Sequence, residues 1–233
     1  MKKETKNVVH STPKKSVVAA IVPAYNEEET IGPVVKALSD SKMFRDIIVI
    51  SDGSTDRTVE LAKKNGATLA HQFPINRGKG AALQHGVAHT DAPIVFFCDA
   101  DLRGFTIKHI EGVIKPVVDG KLAMNVALRD RGKFFMKIAH HLPLIGGERA
   151  MQRHIFENVP DKYLQGFMIE SALNYFCRSR GLPYGAVACF GLSMRRKMEK
   201  VGFVRGLWGY FVMGLQIAKA MIIVRWSRLT GRF

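Results

Sequence analysis

Short runs of wholly apolar residues alternate along this chain with longer segments whose apolar positions recur every three or four residues. Val17-Val18-Ala19-Ala20-Ile21-Val22-Pro23 is the first such run, a pattern that suits a strand buried on both faces and stopped by proline. Ala24 to Thr30 then reads as a turn feeding a helix through about Leu38, with Asn26 as N-cap and the following glutamates in the first turn. A second strand, Asp46 to Ile50, runs into Ser51-Asp52-Gly53-Ser54-Thr55-Asp56, and a helix follows that carries Val59, Leu61 and Ala62. Asp56 fits turn and cap chemistry. A third short strand is expected near Ala67 to Ala70, and Asn76-Arg77-Gly78-Lys79-Gly80 opens a helix to about His89. Strands separated by helix-length segments predict an α/β fold with a parallel sheet, in which ligands bind at the carboxyl ends of the strands.

The apolar run Ile94-Val95-Phe96-Phe97 ends in Cys98-Asp99-Ala100-Asp101, two carboxylates one residue apart. Residues i and i+2 at a strand end point to one side, so Asp99 and Asp101 can face a single crevice. Such close anions repel unless a cation lies between them, and a divalent metal bridging phosphates is one solution. The plain alternative is a pair of turn aspartates. Asp52 and the Tyr25-Asn26-Glu27 turn fall at the same expected edge. Glycines around Lys79 would let backbone amides approach a phosphate, although the loop is neither a Walker A nor a GxGxxG sequence.

Composition narrows the function classes. With 233 residues, 47% hydrophobic and 24% charged, the chain suits one large domain with a real core. A formal charge of +15, from 35 basic and 20 acidic residues, implies an anionic partner: nucleic acid, an acidic membrane surface or phosphorylated substrates. The absence of recognisable nucleic-acid-binding modules argues against the first. Three widely spaced cysteines argue against a disulfide framework or a cysteine zinc site and suggest a reducing compartment. Residues 1–16 are polar and lysine-rich, without the apolar core of a signal peptide, and read as a basic arm. The main domain is then expected over residues 17–205, with an apolar segment in 206–233.

Val22-Pro23-Ala24-Tyr25-Asn26-Glu27-Glu28, Ser51 to Asp56, Asn76 to Gly80 and Asp99-Ala100-Asp101-Leu102 together resemble, in order and spacing, the family 2 glycosyltransferases of GT-A fold. The likeness is greatest to dolichyl- and polyprenyl-phosphate sugar synthases, and more distant to glucosyl-3-phosphoglycerate synthases. It implies a Rossmann-like, mostly parallel sheet with flanking helices, and transfer of a hexose from a nucleoside-diphosphate sugar with Mg²⁺ or Mn²⁺. It also implies that Pro23, Tyr25, Glu27 and Asp52 line the nucleoside pocket, that Lys79 lies near the diphosphate, and that Asp99 and Asp101 hold the metal. Ser51 stands where many members carry another aspartate.

The second half carries thinner signals. A strand from about Leu122 to Leu128 ends in Arg129-Asp130-Arg131-Gly132-Lys133, a charged loop or a phosphate site. Gly146-Gly147-Glu148-Arg149-Ala150 is expected to open a helix and is similar to a Gly-Gln-Arg-Ala segment of related transferases. Gly166-Phe167-Met168-Ile169-Glu170 is similar to a segment whose acid lies at the acceptor site, so Glu170 is the candidate base for an acceptor hydroxyl. A phosphate acceptor would instead need cations, for which Arg129, Arg131 and Arg149 are the candidates. In some relatives a histidine completes the metal site where Met194 stands here, and a thioether is a poor ligand for a hard cation. The adjacent His140 and His141 are a further possibility for that role. Residues 207–226 form an apolar stretch interrupted by Gln216 and Lys219 and flanked by Arg225 and Arg228. It fits an interfacial helix, a homodimer contact or a core helix. The expectation is an enzyme at the cytoplasmic membrane face with a lipid-phosphate acceptor; the alternative is a soluble enzyme acting on a small phosphorylated acid.

Overall fold

The computed structural model describes residues 17–129, 146–166 and 168–194. Strand β1 (Val18–Ala24) sits between β2 (Asp46–Ser51) and β4 (Ile94–Phe97), parallel to both, and β3 (Leu69–Gln72) is parallel to β2 at the edge. Beyond β4 come β7 (Arg149–Gln152), β6 (Met124–Arg129) and β8 (Tyr184–Cys189), giving the order β3-β2-β1-β4-β7-β6-β8. Only β7 runs antiparallel in this sheet. A second, two-stranded ladder joins β5 (Leu102–Arg103) to β9 (Ser193–Met194).

The apolar runs are explained by helices on both sheet faces. Helices α1 (Ile31–Asp40) and α4 (Ile107–Val118) cover the side that takes Val18, Ala20 and Val22 of β1. Helices α3 (Lys79–Ala88), α5 (Arg153–Glu157) and α6 (Met168–Ser179) cover the side that takes Ala19 and Ile21. With a core on each face no position on β1 is free to be polar, which is why alternation is missing from its sequence. The short α2 (Thr58–Lys64) packs Ala62 against the first face.

Two local expectations are corrected. Gly146–Ala150 does not open a helix: Arg149–Gln152 forms β7, with register partners on both β4 and β6. Pairing on two sides and complete burial of Ala150 and Met151 override any local helical preference. Asn26 does not cap α1, whose N-cap is Thr30, and no glutamate lies in the first turn. The chain makes one more turn first, in which the Glu27 carbonyl accepts from the amides of Thr30 and Ile31.

All three cysteines are buried and free. Among the described residues no helix is long and apolar enough to cross a membrane. The basic arm and the apolar segment of residues 206–233 lie outside the described residues.

The start of α3 is held by close backbone packing: a Cβ on Gly80 would stand 1.6 Å from the Leu164 carbonyl oxygen. Gly80→Ala is therefore expected to destabilise by about 1–3 kcal/mol, lowering Tm by roughly 2–12 °C. Calorimetry checks this, and an unchanged Tm would mean that α3 does not sit against Leu164.

Candidate active site

The carboxyl ends of β1, β2, β4 and β6 share one edge, and the change of direction in strand order between β1 and β4 opens a crevice there. Three loops meet at this edge and are tied to each other by short polar side chains. The Asn26 amide donates to Ser54 Oγ at 3.0 Å, and Asn26 Oδ1 accepts from the Thr55 amide at 2.9 Å. The Glu27 amide donates to Thr58 Oγ1 at 2.9 Å. Asn26 takes a positive φ of 53°, which asparagine tolerates better than most residues. The ties leave the Tyr25 ring half exposed beside half-buried Pro23, while Glu27 and Asp52 are buried.

Asp52 has a structural task of its own. Its carboxylate accepts from the Arg77 amide at 2.6 Å and the Gly78 amide at 2.8 Å. These two amides of the glycine loop are thus held by an internal carboxylate. Gly53, at φ 79°, allows the approach, since a Cβ there would lie 2.8 Å from the Asn76 amide nitrogen. Asp56 does what its spacing suggested, accepting from the amides of Thr58 and Glu28.

A line of alternating charges fills the crevice floor. Lys79 Nζ donates to Asp99 Oδ1 at 2.6 Å, and Arg129 Nη2 donates to Asp99 Oδ2 at 2.9 Å. Arg129 also grips Glu148, through Nε at 3.0 Å and Nη2 at 2.5 Å. At the other end Lys79 Nζ stands 4.0 Å from Glu170 Oε1. Burial works to raise the Asp99 carboxyl, but Lys79 and Arg129 outweigh it and hold its pKa at about 2. Against burial, Lys79 is raised by Asp99 and Glu170, and Arg129 by Glu148 first and then Asp99. Glu148 is shifted the other way, raised by burial and by the charge on Asp99 against the pull of Arg129.

Two further acids stand near the charge line. Glu170 is 8% exposed, and its Oε2 is buried without a hydrogen-bond partner. Asp101 is half-buried just past β4, close enough for its charge to help raise Arg129. Met194 pairs across the β5–β9 ladder with Leu102, which places it beside the Asp-x-Asp turn. Among the described residues no group of three His, Cys, Asp or Glu side chains is arranged to hold a metal ion.

Arg149 is not at the crevice. It is 1% exposed and turns inward, donating to the Gly146 carbonyl through Nη2 at 2.7 Å. Strand alternation sends neighbouring side chains to opposite sides, so Glu148 reaches the charge line where Arg149 was expected. Glu148 is the residue that the sequence reading missed. Its signal was available in the register of a strand, but that segment reads as a helix start. Arg131, His140 and His141 lie outside the described residues.

A profile of glycosyl transferase family 2 matches residues 19–176. The chain belongs to glycosyl transferase family 2. An uncharacterised Methanocaldococcus jannaschii protein is 34% identical over 134 residues, 56% of this chain and 53% of that protein. The dolichyl-phosphate β-glucosyltransferase of Trichomonas vaginalis is 30% identical over 157 residues, 57% of this chain and 49% of its own. The chain spans about half or less of the curated relatives it matches. Among solved structures, glucosyl-3-phosphoglycerate synthase from Mycobacterium tuberculosis, with Mn²⁺, UDP-glucose and phosphoglyceric acid, gives a TM-score of 0.72. That match covers 89% of this chain and 79% of the synthase at 24% identity, a likeness of fold. The family 2 fold thus accounts for the mostly parallel sheet and the crevice at its carboxyl edge.

A carboxyl held at about 2 is stabilised in the folded state only while it is ionised. Its contribution is full above its unfolded value near 4 and is lost as pH falls from about 4 toward 2. Asp99→Asn is expected to be less stable than wild type at pH 7, with the gap narrowing over that window. Denaturant titrations at pH 7 and pH 2.5 measure it, and a gap that widens in acid would contradict the ion pairs.

Proposed function

We propose that this chain transfers a hexosyl group from a nucleoside-diphosphate sugar to an acceptor hydroxyl, with Mg²⁺ or Mn²⁺ as cofactor. The observation that carries this reading is the crevice of family 2 with a cation-lined floor and one unpartnered, buried carboxylate oxygen on Glu170. Pro23, Tyr25, Glu27 and Asp52 border the space for the nucleoside, with Asp52 acting through the loop it holds.

The donor set fits a hard divalent cation in one particular way. Both oxygens of Asp99 are taken by Lys79 and Arg129, and half-buried Asp101, two residues on, would be the carboxylate that holds the metal. Mg²⁺ and similar ions are commonly held by one or two carboxylates plus substrate phosphates and water, without a protein cage. When bound, the ion would neutralise charge on the diphosphate. Lys79 and Arg129 stay protonated and face the leaving group with fixed positive charge. Glu170 Oε2 takes the proton of the acceptor hydroxyl as its oxygen bonds to the anomeric carbon and the bond to the diphosphate breaks. The relatives point to donor and acceptor chemistry worth testing: the synthase structures hold UDP-glucose with Mn²⁺, and phosphoglyceric acid or glycerol 3-phosphate.

A second reading has a lipid phosphate as acceptor, at the cytoplasmic face of a membrane. It is favoured by the charge of +15 and by the dolichyl-phosphate relative. Against it, Arg129 is engaged by two carboxylates and Arg149 is buried, so two of its three phosphate ligands are committed elsewhere.

A thermal-shift screen of nucleotide sugars with and without Mn²⁺ tests the donor, since a specific ligand stabilises the folded state by mass action. At least one is expected to raise Tm in a metal-dependent way, and a flat response across the screen would refute the reading. For the donor so found, Asp101→Ala and Glu170→Gln are each expected to lower kcat by about 10²–10³-fold. Glu170→Gln should do so only with a hydroxyl acceptor; equal loss with polyprenyl phosphate would return the base role of Glu170 to doubt.

A further inference from the structure

The turn leading into β7 takes no part in the chemistry just described, yet it touches the charge line twice. A Cβ on Gly147 would lie 2.1 Å from Asp99 Oδ2 and 2.6 Å from its Cγ, so a side chain there would displace the carboxylate. Glu148 is fully buried and accepts from both Nε and Nη2 of Arg129. A bidentate fork of this kind fixes the plane of a guanidinium as well as its position. The same Nη2 that reaches Glu148 also reaches Asp99, so the direction of one bond sets the other.

Stability alone does not account for Glu148. Burying an acid is costly, and replacing a buried ion pair by apolar residues is often neutral or stabilising. Three carboxylates here share two cations, so one fewer acid would lighten the electrostatic load.

We propose that Glu148 is a positioning residue: it fixes the Arg129 guanidinium, and through it the Asp99 carboxylate, facing the leaving diphosphate. Gly147 keeps the space that Asp99 occupies. The inference rests on the nucleotide-sugar reading for what Arg129 faces, but the positioning itself has a separate readout.

Crystal structures of wild type and Glu148→Gln supply that readout. Arg129 Nη2 is expected to move off Asp99 by about 1 Å or more, the scale at which misplacement affects catalysis. An unmoved Arg129 overturns the proposal whatever the donor. The second measurement is a double-mutant cycle of Glu148→Gln and Arg129→Ala, using the donor that wild type turns over in the screen. Glu148→Gln should lower kcat about 10–100-fold with KM within about two-fold. In the Arg129→Ala background it should add nothing, whereas additive losses overturn the proposal, because they show Glu148 acting apart from Arg129. If Glu148→Gln does not fold, Glu148→Asp carries both measurements, keeping the charge but shortening the reach. An unmoved Arg129 with wild-type kcat in that variant overturns positioning. A wild type that turns over no nucleotide sugar refutes the transferase reading, while the crystal comparison still decides the position of Arg129.

Discussion

A carboxylate kept from water must find cations nearby or give up its charge, and this crevice is arranged around that constraint at Asp99. Lys79 arrives from the start of α3, Arg129 from the end of β6, and each binds one oxygen. Three separate elements must therefore stop at the same level of the sheet. The register supplies this: β4 ends at Phe97 opposite Arg149, and β6 carries Val126 opposite the same residue. Asp99 and Asp101 are both half-buried, and at Asp99 it is two cations, one to each oxygen, that offset the loss of water.

The same logic separates cations that serve a ligand from cations that serve the fold. Arg149 lies among buried side chains and bonds a main-chain carbonyl of its own turn. Arg129 is more exposed, at 13% of its side chain, and its hydrogen-bond partners are charged and line the crevice. Burial and hydrogen-bond partners both distinguish the two arginines. A strongly basic chain can thus present a floor in which every described cation is already matched, leaving the net +15 to other surfaces.

Much of the fold was legible because the apolar runs are long enough to admit one explanation. Val18–Ala24 and Ile94–Phe97 are buried on both faces, and their sequences have no polar position to offer. The edge strand Leu69–Gln72 starts two residues later than its sequence suggested, since a half-exposed strand carries a weaker pattern. Strand β7 was read as a helix because its pairing partners are distant in sequence and no local residue announces them. That one error hid Glu148. Asp52, Asp99, Asp101 and Lys79 drew notice in the sequence because each ends or begins a clear element, whereas the contacts of Asp52 and Asp99 are made across the sheet. Asn26 was misjudged for a related reason: its side chain reaches another loop, and a single sequence cannot distinguish that from capping.

The antiparallel course of β7 bears on how such a protein can diverge. The chain leaves the crevice at Arg129 and comes back to it at Gly147, and both residues meet the Asp99 carboxylate, Arg129 by a hydrogen bond and Gly147 by a close fit. Residues 130–146 therefore join two fixed posts. Replacement or lengthening of that segment can leave strand register unchanged, because the posts belong to the sheet and not to the segment. Divergence at this point can then proceed as an exchange of one piece of chain, while the charge line on the sheet keeps its geometry.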